Sequence, residues 1–255
     1  MGVRGLTGLA TAGWKAAAQA GVAFMLANAA PAQAGTQLVN NGSFETTSNG
    51  AGQMGYNTNA TGWTTSGYNF IFSSGSADTT GVTGQYGTLK LWGPNDGSNN
   101  GLPASSPDGG NYIGADGAYN VGAITQSISG LTVGDKYTLS FWWAAAQQQG
   151  FTGLNTEQWQ VNLGSQQFDT AVYSNASKGF SGWMYQTFTY TATSTTEVLS
   201  FLAIGTPSGQ PPFSLLDGVS LELVPEPADW AIMLAGVAGL GALLQRRRRL
   251  ASKPI

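Results

Sequence analysis

The C-terminal end of this chain constrains it more than any other stretch. The segment Val224-Pro225-Glu226-Pro227-Ala228-Asp229-Trp230 interrupts whatever precedes it, an apolar run follows to Leu244, and Arg246, Arg247, Arg248 and Arg249 come next. Residues 228–244 carry a single charge, Asp229, at one edge. As a helix rising about 1.5 Å per residue this run would extend roughly 25 Å, enough for a thin bilayer. Arginines beside an apolar helix stay on the cytoplasmic side, so everything N-terminal is expected outside, with Trp230 at the outer interface. A buried core helix can be as apolar at this length, but a Pro-Glu-Pro break on one flank and four arginines on the other favour a terminal membrane span.

The other end agrees with export. Arg4 and Lys15 lead into a largely apolar stretch, 16–30, and then Pro31-Ala32-Gln33-Ala34-Gly35. A basic start, an apolar centre and small residues at Ala32 and Ala34 read as a signal peptide, residues 1–34, cleaved after Ala34. An uncleaved N-terminal anchor is the alternative. Removing both ends leaves residues 35–223, enough for one sizeable core.

That middle portion has eleven acids against Lys90, Lys136 and Lys178, about −8, which the chain's overall −3 conceals. An acidic surface disfavours nucleic acid and anionic membranes as partners. The chain has no Cys, so no disulfide staples it, and no His. The absence of His removes Ser-His-Asp triads and His-based zinc sites together.

Gly, Ser, Thr, Asn and aromatics dominate the middle, as expected for strands joined by turns. Tyr137, Leu139, Phe141 and Trp143 alternate with Thr138, Ser140 and Trp142, and would share one face of a strand. Trp159, Val161 and Leu163 interleave with Gln158, Gln160 and Asn162, a strand with one wet face. Further long strands are expected over 183–191 and 198–204, with Val219, Leu221 and Leu223 closing the domain. Shorter ones are expected over 37–39, 69–72, 88–92, 111–113 and 123–128. Asp96-Gly97, Asp108-Gly109, Asp116-Gly117, Gly134-Asp135 and Pro211-Pro212 mark turns. No helical periodicity intervenes, so the expected fold class is all-β, an antiparallel two-sheet sandwich flanked by the signal helix and the C-terminal span. The long connections 73–84 and 93–110 are expected at one end of it.

Pro225, Glu226 and Pro227, then an apolar helix, then Arg246–Arg249 at the extreme C-terminus, resemble the PEP-CTERM sorting signal, here residues 224–255. The resemblance implies recognition by an exosortase, a membrane-embedded transpeptidase-like enzyme of Gram-negative bacteria that make extracellular polysaccharide. The chain would be anchored in the inner membrane until processed, and then reach the cell surface or extracellular matrix. The tail after Arg249 is longer than in many members.

The opening Leu38-Val-Asn-Asn-Gly-Ser-Phe-Glu45 and the closing Leu215-Leu-Asp-Gly-Val-Ser-Leu221 resemble the first and last strands of galactose-binding-like jelly rolls, a fold that includes many carbohydrate-binding modules. Asp108-Gly-Gly-Asn-Tyr-Ile-Gly114 and the run 124–141 resemble its central strands. The resemblance implies a jelly-roll sandwich in which Glu45 and Asp217 help hold a structural calcium at the sandwich edge. Calcium takes six to eight oxygens, and two carboxylates from adjacent terminal strands could join main-chain carbonyls to supply them. Asp217 shares the parity of Val219 and Leu221, so it is expected to point inward, where an unpaired carboxylate is costly. A surface Glu45 and a turn-capping Asp217 are the plainer alternative. Family members often carry a second acid where this chain has Gly218.

Sugar rings stack on exposed aromatics. Trp63, Tyr68, Trp92, Trp142, Trp159 and Trp183 are candidates, although burial is the default for a strand Trp. Trp92, beside the polar run 93–100, together with Trp142 and Gln147 in the Gln147-Gln-Gln149 turn, are the residues assigned to an extracellular polysaccharide. A glycosidase would need two acids about 5–10 Å apart. Glu157 is the one acid near a Trp-bearing strand, and nothing in the sequence pairs it. The expected function is therefore a non-catalytic surface or matrix protein, structural or polysaccharide-binding, with a glycan-active enzyme as the alternative.

Overall fold

The computed structural model describes residues 36–225 and Gly236. The signal segment 1–34, the span 228–244 apart from Gly236, and Glu226, Pro227 and Arg246–Arg249 of the sorting motif lie outside the described residues. Residues 36–225 form strands and no helix. In chain order these are β1 (Gly52–Gln53), β2 (Thr64–Thr65), β3 (Asn69–Phe72), β4 (Val82–Gly84), β5 (Gly87–Leu89), β6 (Tyr112–Asp116), β7 (Ile124–Ser129), β8 (Lys136–Gln147), β9 (Asn155–Leu163), β10 (Gln166–Asp169), β11 (Tyr173–Asn175), β12 (Met184–Thr191), β13 (Thr196–Thr206) and β14 (Pro212–Leu223).

They make an antiparallel sandwich of jelly-roll type. One sheet runs β1-β3-β6-β14-β8-β12 and the other β10-β9-β13-β7-β2, with β11 also on β9. Apart from the β9–β10 hairpin, most sheet neighbours are distant in the chain, and the last strand, β14, lies between β6 and β8 at the middle of the first sheet. The alternation expected for β8 and β9 holds: Tyr137, Leu139, Phe141 and Trp143 face Trp159, Val161 and Leu163 across the inter-sheet core. Ile113, Ile128, Leu199, Phe201, Leu216, Val219 and Leu221 complete it. Each such side chain contributes about 1.5–3 kcal/mol through burial.

A second apolar layer lies on the opposite face of the first sheet. Phe70, Phe72, Tyr112, Ala144, Ala146, Phe213 and Leu215 pack there against Ala77, Val82, Leu89, Leu91 and Leu102. The long connections, with the β4–β5 hairpin inside them, thus cover a sheet face where an end of the sandwich was expected. The strands they cover are apolar on both faces, a pattern that alternation alone does not resolve.

The structure corrects other expectations. Residues 37–39 form no strand; Leu38 N–H only donates to the Leu221 carbonyl at 3.0 Å. Pro211-Pro212 does not end in a turn, because Pro212 opens β14 opposite Gln147. Leu223 is exposed. Asp217 pairs with Trp142 but Ser220 pairs with Ser140, so β14 carries one extra residue between them. This bulge at Gly218 (φ +59) switches the parity of the strand. Leu216, Val219 and Leu221 face the inter-sheet core, whereas Asp217 shares the outer face with Phe213 and Leu215. Asp217 is buried as expected, but on the opposite side from the one expected.

Candidate functional site

The outer face of β8 changes character along its length. Ala146 and Ala144 lie under the second layer; Trp142 marks its edge; Ser140 and Thr138 lie beyond it. The same happens along β14, from Phe213 and Leu215 through Asp217 to Ser220 and Glu222. Where the cover stops, the sheet face opens into a groove of about 520 Å³ bordered by Asp108, Thr138, Ser140, Trp142, Tyr185 and Glu222, among others.

Tyr185 is the cross-strand partner of Trp142, and their ring centroids lie 4.9 Å apart at 52°. Tyr185 is 55% exposed. Two tilted aromatic faces, flanked by hydroxyls and carboxylates, can stack a sugar ring and bond its edge. Tyr185 falls in the strand expected over 183–191 but not among the aromatic candidates, because nothing in that strand's order shows that its neighbour across the sheet is Trp142.

The other aromatic candidates divide clearly. Trp63, Tyr68 and Trp159 are buried, and the Trp159 indole N–H donates to the Leu215 carbonyl at 3.0 Å. Trp183 packs partly buried against the second layer. Trp92 is partly exposed, but its N–H donates to the Phe151 carbonyl at 2.7 Å and the Lys178 ammonium lies 4.3 Å over its ring, taking one stacking face. Gln147 has no exposed surface. Its amide N–H donates to Gly153 O at 3.0 Å and its oxygen accepts from Lys178 N–H at 2.7 Å. Trp142 is in the groove; Trp92 and Gln147 hold loops elsewhere.

Beside the groove, the structure brings Glu45, Asp108 and Asp217 to one edge. Burial pushes the Asp217 carboxyl up to about 8; the Ser106 hydroxyl and the Gly218 N–H hold it down, and the Asp108 and Glu45 charges add to the rise. Ser106 donates to its Oδ2, while Oδ1 is buried without a hydrogen-bond partner among the described residues. Asp108 accepts from Ser43 at 2.5 Å. Exposed Glu45 accepts from Asn111 N–H at 2.7 Å. A Cβ on Gly218 would lie 3.2 Å from Asp108 and from Trp142, so the bulge glycine brings the acid edge against the groove. Its positive φ and this close approach both favour glycine at this position. Among the described residues no three acidic side chains are arranged to share a metal. The orphaned, oxygen-only Asp217 Oδ1 nevertheless suits a hard cation such as calcium.

Glu157 has no exposed surface. Burial lifts its carboxyl to about 8, and only the Asn175 amide holds it down. It has neither solvent access nor a partner acid among the described residues, so it does not form the pair a glycosidase needs.

No protein-family model matches the chain. Halomucin of Haloquadratum walsbyi is 30% identical over 202 residues, covering 76% of this chain and 2% of that protein. The chain thus spans about 2% of the length of the curated relative it matches. Among solved structures it is similar to a xylan-binding domain from Paenibacillus barcinonensis, with 13% identity, 76% of this chain and 99% of that one covered, and a TM-score of 0.37. It is also similar to TmCBM61 in complex with β-1,4-galactotriose, with 15% identity, 74% and 99% covered, and a TM-score of 0.37. A third similarity is to the enzymatically active domain of a bacteriophage CBA120 tailspike, with 15% identity, 74% and 21% covered, and a TM-score of 0.36.

Proposed function

We propose that this protein is an exported, non-catalytic polysaccharide-binding module. The single observation that carries the reading is the Trp142–Tyr185 pair at the uncovered end of the first sheet, in a groove rimmed by hydroxyls and carboxylates. The similar solved structures include a xylan-binding domain and a module bound to galactotriose, in keeping with it. A neutral glycan suits a groove bordered by Asp108 and Glu222 better than an acidic one, because like charges would repel. Binding of the full chain to a panel of neutral and acidic polysaccharides tests this. Tyr185→Ala is expected to lower affinity about 5- to 150-fold, taking the roughly 1–3 kcal/mol of base–aromatic stacking as the scale for a ring stacked on one aromatic, without changing the melting temperature. Retained affinity in both Tyr185→Ala and Trp142→Ala overturns the reading.

The same proposal assigns residues 1–34 to a signal peptide and 224–255 to a sorting signal, with exosortase as partner and the inner membrane as a temporary anchor through 228–244. The Pro-Glu-Pro break, the apolar run and the arginines support it, and Pro225 borders the groove. Delivery to the cell surface or extracellular matrix follows. A structural calcium, if held at the sandwich edge, would bind Asp217 and Glu45 and neutralise the buried charge at Asp217.

A further inference from the structure

We propose a calcium site at the polar end of the inter-sheet core, made by Asn155, Glu157 and Gln210, apart from the Asp217 edge and independent of the polysaccharide reading. The inner face of β9 is apolar at Leu163, Val161 and Trp159 and then turns polar at Glu157 and Asn155, which keep the same parity and are also buried. On β11, Asn175 lies directly opposite Asn155, and its amide reaches Glu157 Oε1 at 3.4 Å. The Asn155 amide donates to the Gln210 carbonyl at 3.3 Å.

Three oxygens in this neighbourhood have no hydrogen-bond partner among the described residues: Asn155 Oδ1, Glu157 Oε2 and Gln210 Oε1. All three are acceptors. The Asn155 amide donor is already used on the Gln210 carbonyl, an ionised Glu157 has no donor to give, and Glu157 has no exposed surface. One water has two hydrogens to give and a protonated carboxyl one, whereas a cation satisfies all the lone pairs that converge on it. Side chains two apart on a strand stand about 6.5–7 Å apart, and two oxygens on one calcium at about 2.3–2.6 Å are at most about 5 Å apart, so the two side chains would lean together by about 1.5–2 Å to share an ion. Oxygen-only donors exclude a zinc-type site, and a mix of one carboxylate with amides in irregular geometry suits calcium, since magnesium demands an octahedron and keeps its waters. One charge among the ligands sets the affinity in the range of extracellular modules, about 0.1–1 mM.

The test uses the full chain, stripped with chelator and melted at increasing calcium chloride. At calcium about 100-fold above Kd the melting temperature is expected to rise about 5–10 °C. Glu157→Gln, which keeps the shape and removes the charge, is expected to abolish most of that rise, while Asp217→Asn retains it. A calcium response unchanged in Glu157→Gln, or lost only in Asp217→Asn, overturns the proposal, as does an equal response to magnesium or sodium chloride. Terbium luminescence excited through tryptophan gives a second readout on unmutated protein: Trp159 lies two residues from Glu157 on the same face. Sensitised emission that calcium displaces in both the unmutated chain and Asp217→Asn supports the site, and emission lost in Asp217→Asn overturns it.

Discussion

Glu157 and Asp217 are buried carboxyls whose protons are held up to about pH 8 in the folded chain by loss of solvent. In the unfolded chain each would release its proton near its ordinary value of about 4. Between these limits the folded state binds more protons, so stability falls as pH rises through that window and is fullest below it. In chelator the urea midpoint is therefore expected to be higher at pH 5 than at pH 8, opposite to ordinary acid denaturation. Glu157→Gln should flatten that slope and raise the midpoint at pH 8. Added calcium should reverse the trend, because metal binds the deprotonated form. Gly218 is the other residue whose chemistry is local. At φ +59, with Asp108 and Trp142 already 3.2 Å from where a Cβ would stand, Gly218→Ala is expected to cost about 1–3 kcal/mol. It should also weaken glycan binding by displacing Trp142, which urea unfolding and binding on one sample would register together.

The first sheet works as two elements in one. Its covered half is a middle layer, apolar on both faces, and its open half is an ordinary amphipathic sheet. The boundary falls at Trp142 on β8 and at the bulge on β14, which lie next to each other. Leu91 belongs to the cover and is fully buried, so Leu91→Ala should destabilise by about 2–5 kcal/mol. The open face is built from β8, β12 and β14 below that boundary, and glycan affinity per folded molecule should be unchanged in this variant. A parallel loss of affinity would show that the cover also shapes the groove.

For the whole molecule, the proposed order is export, tethering and release. Replacing Pro225-Glu226-Pro227 with alanines in the producing cell is expected to leave a membrane-bound chain that still contains residues 228–255, whereas the unmutated chain ends near the motif. Mass spectrometry of the mature C-terminus reads this directly. An unchanged mature mass would remove the sorting proposal without touching the sandwich, whose described residues are held by their own two apolar layers.

The all-β class, the long strands around Phe141, Val161, Phe188 and Phe201, and the burial of Trp143 and Trp159 were legible in the amino-acid order, because side chains alternate with a period of two on any half-wet strand; Trp92, Trp142 and Trp183 stay partly exposed. The short strands β1, β2, β4, β10 and β11 were not, since runs of two to four residues are too short to show a period. Nor was the side to which Asp217 points: a one-residue bulge reverses every side chain beyond it, and nothing in Asp-Gly-Val marks it off from a plain strand. Trp142 could be named as a candidate, but only the folded chain decided that Tyr185 stands beside it, that Lys178 covers Trp92 and that Gln147 is buried. Those outcomes depend on which strands from distant parts of the chain become neighbours, and on where the covering loops stop.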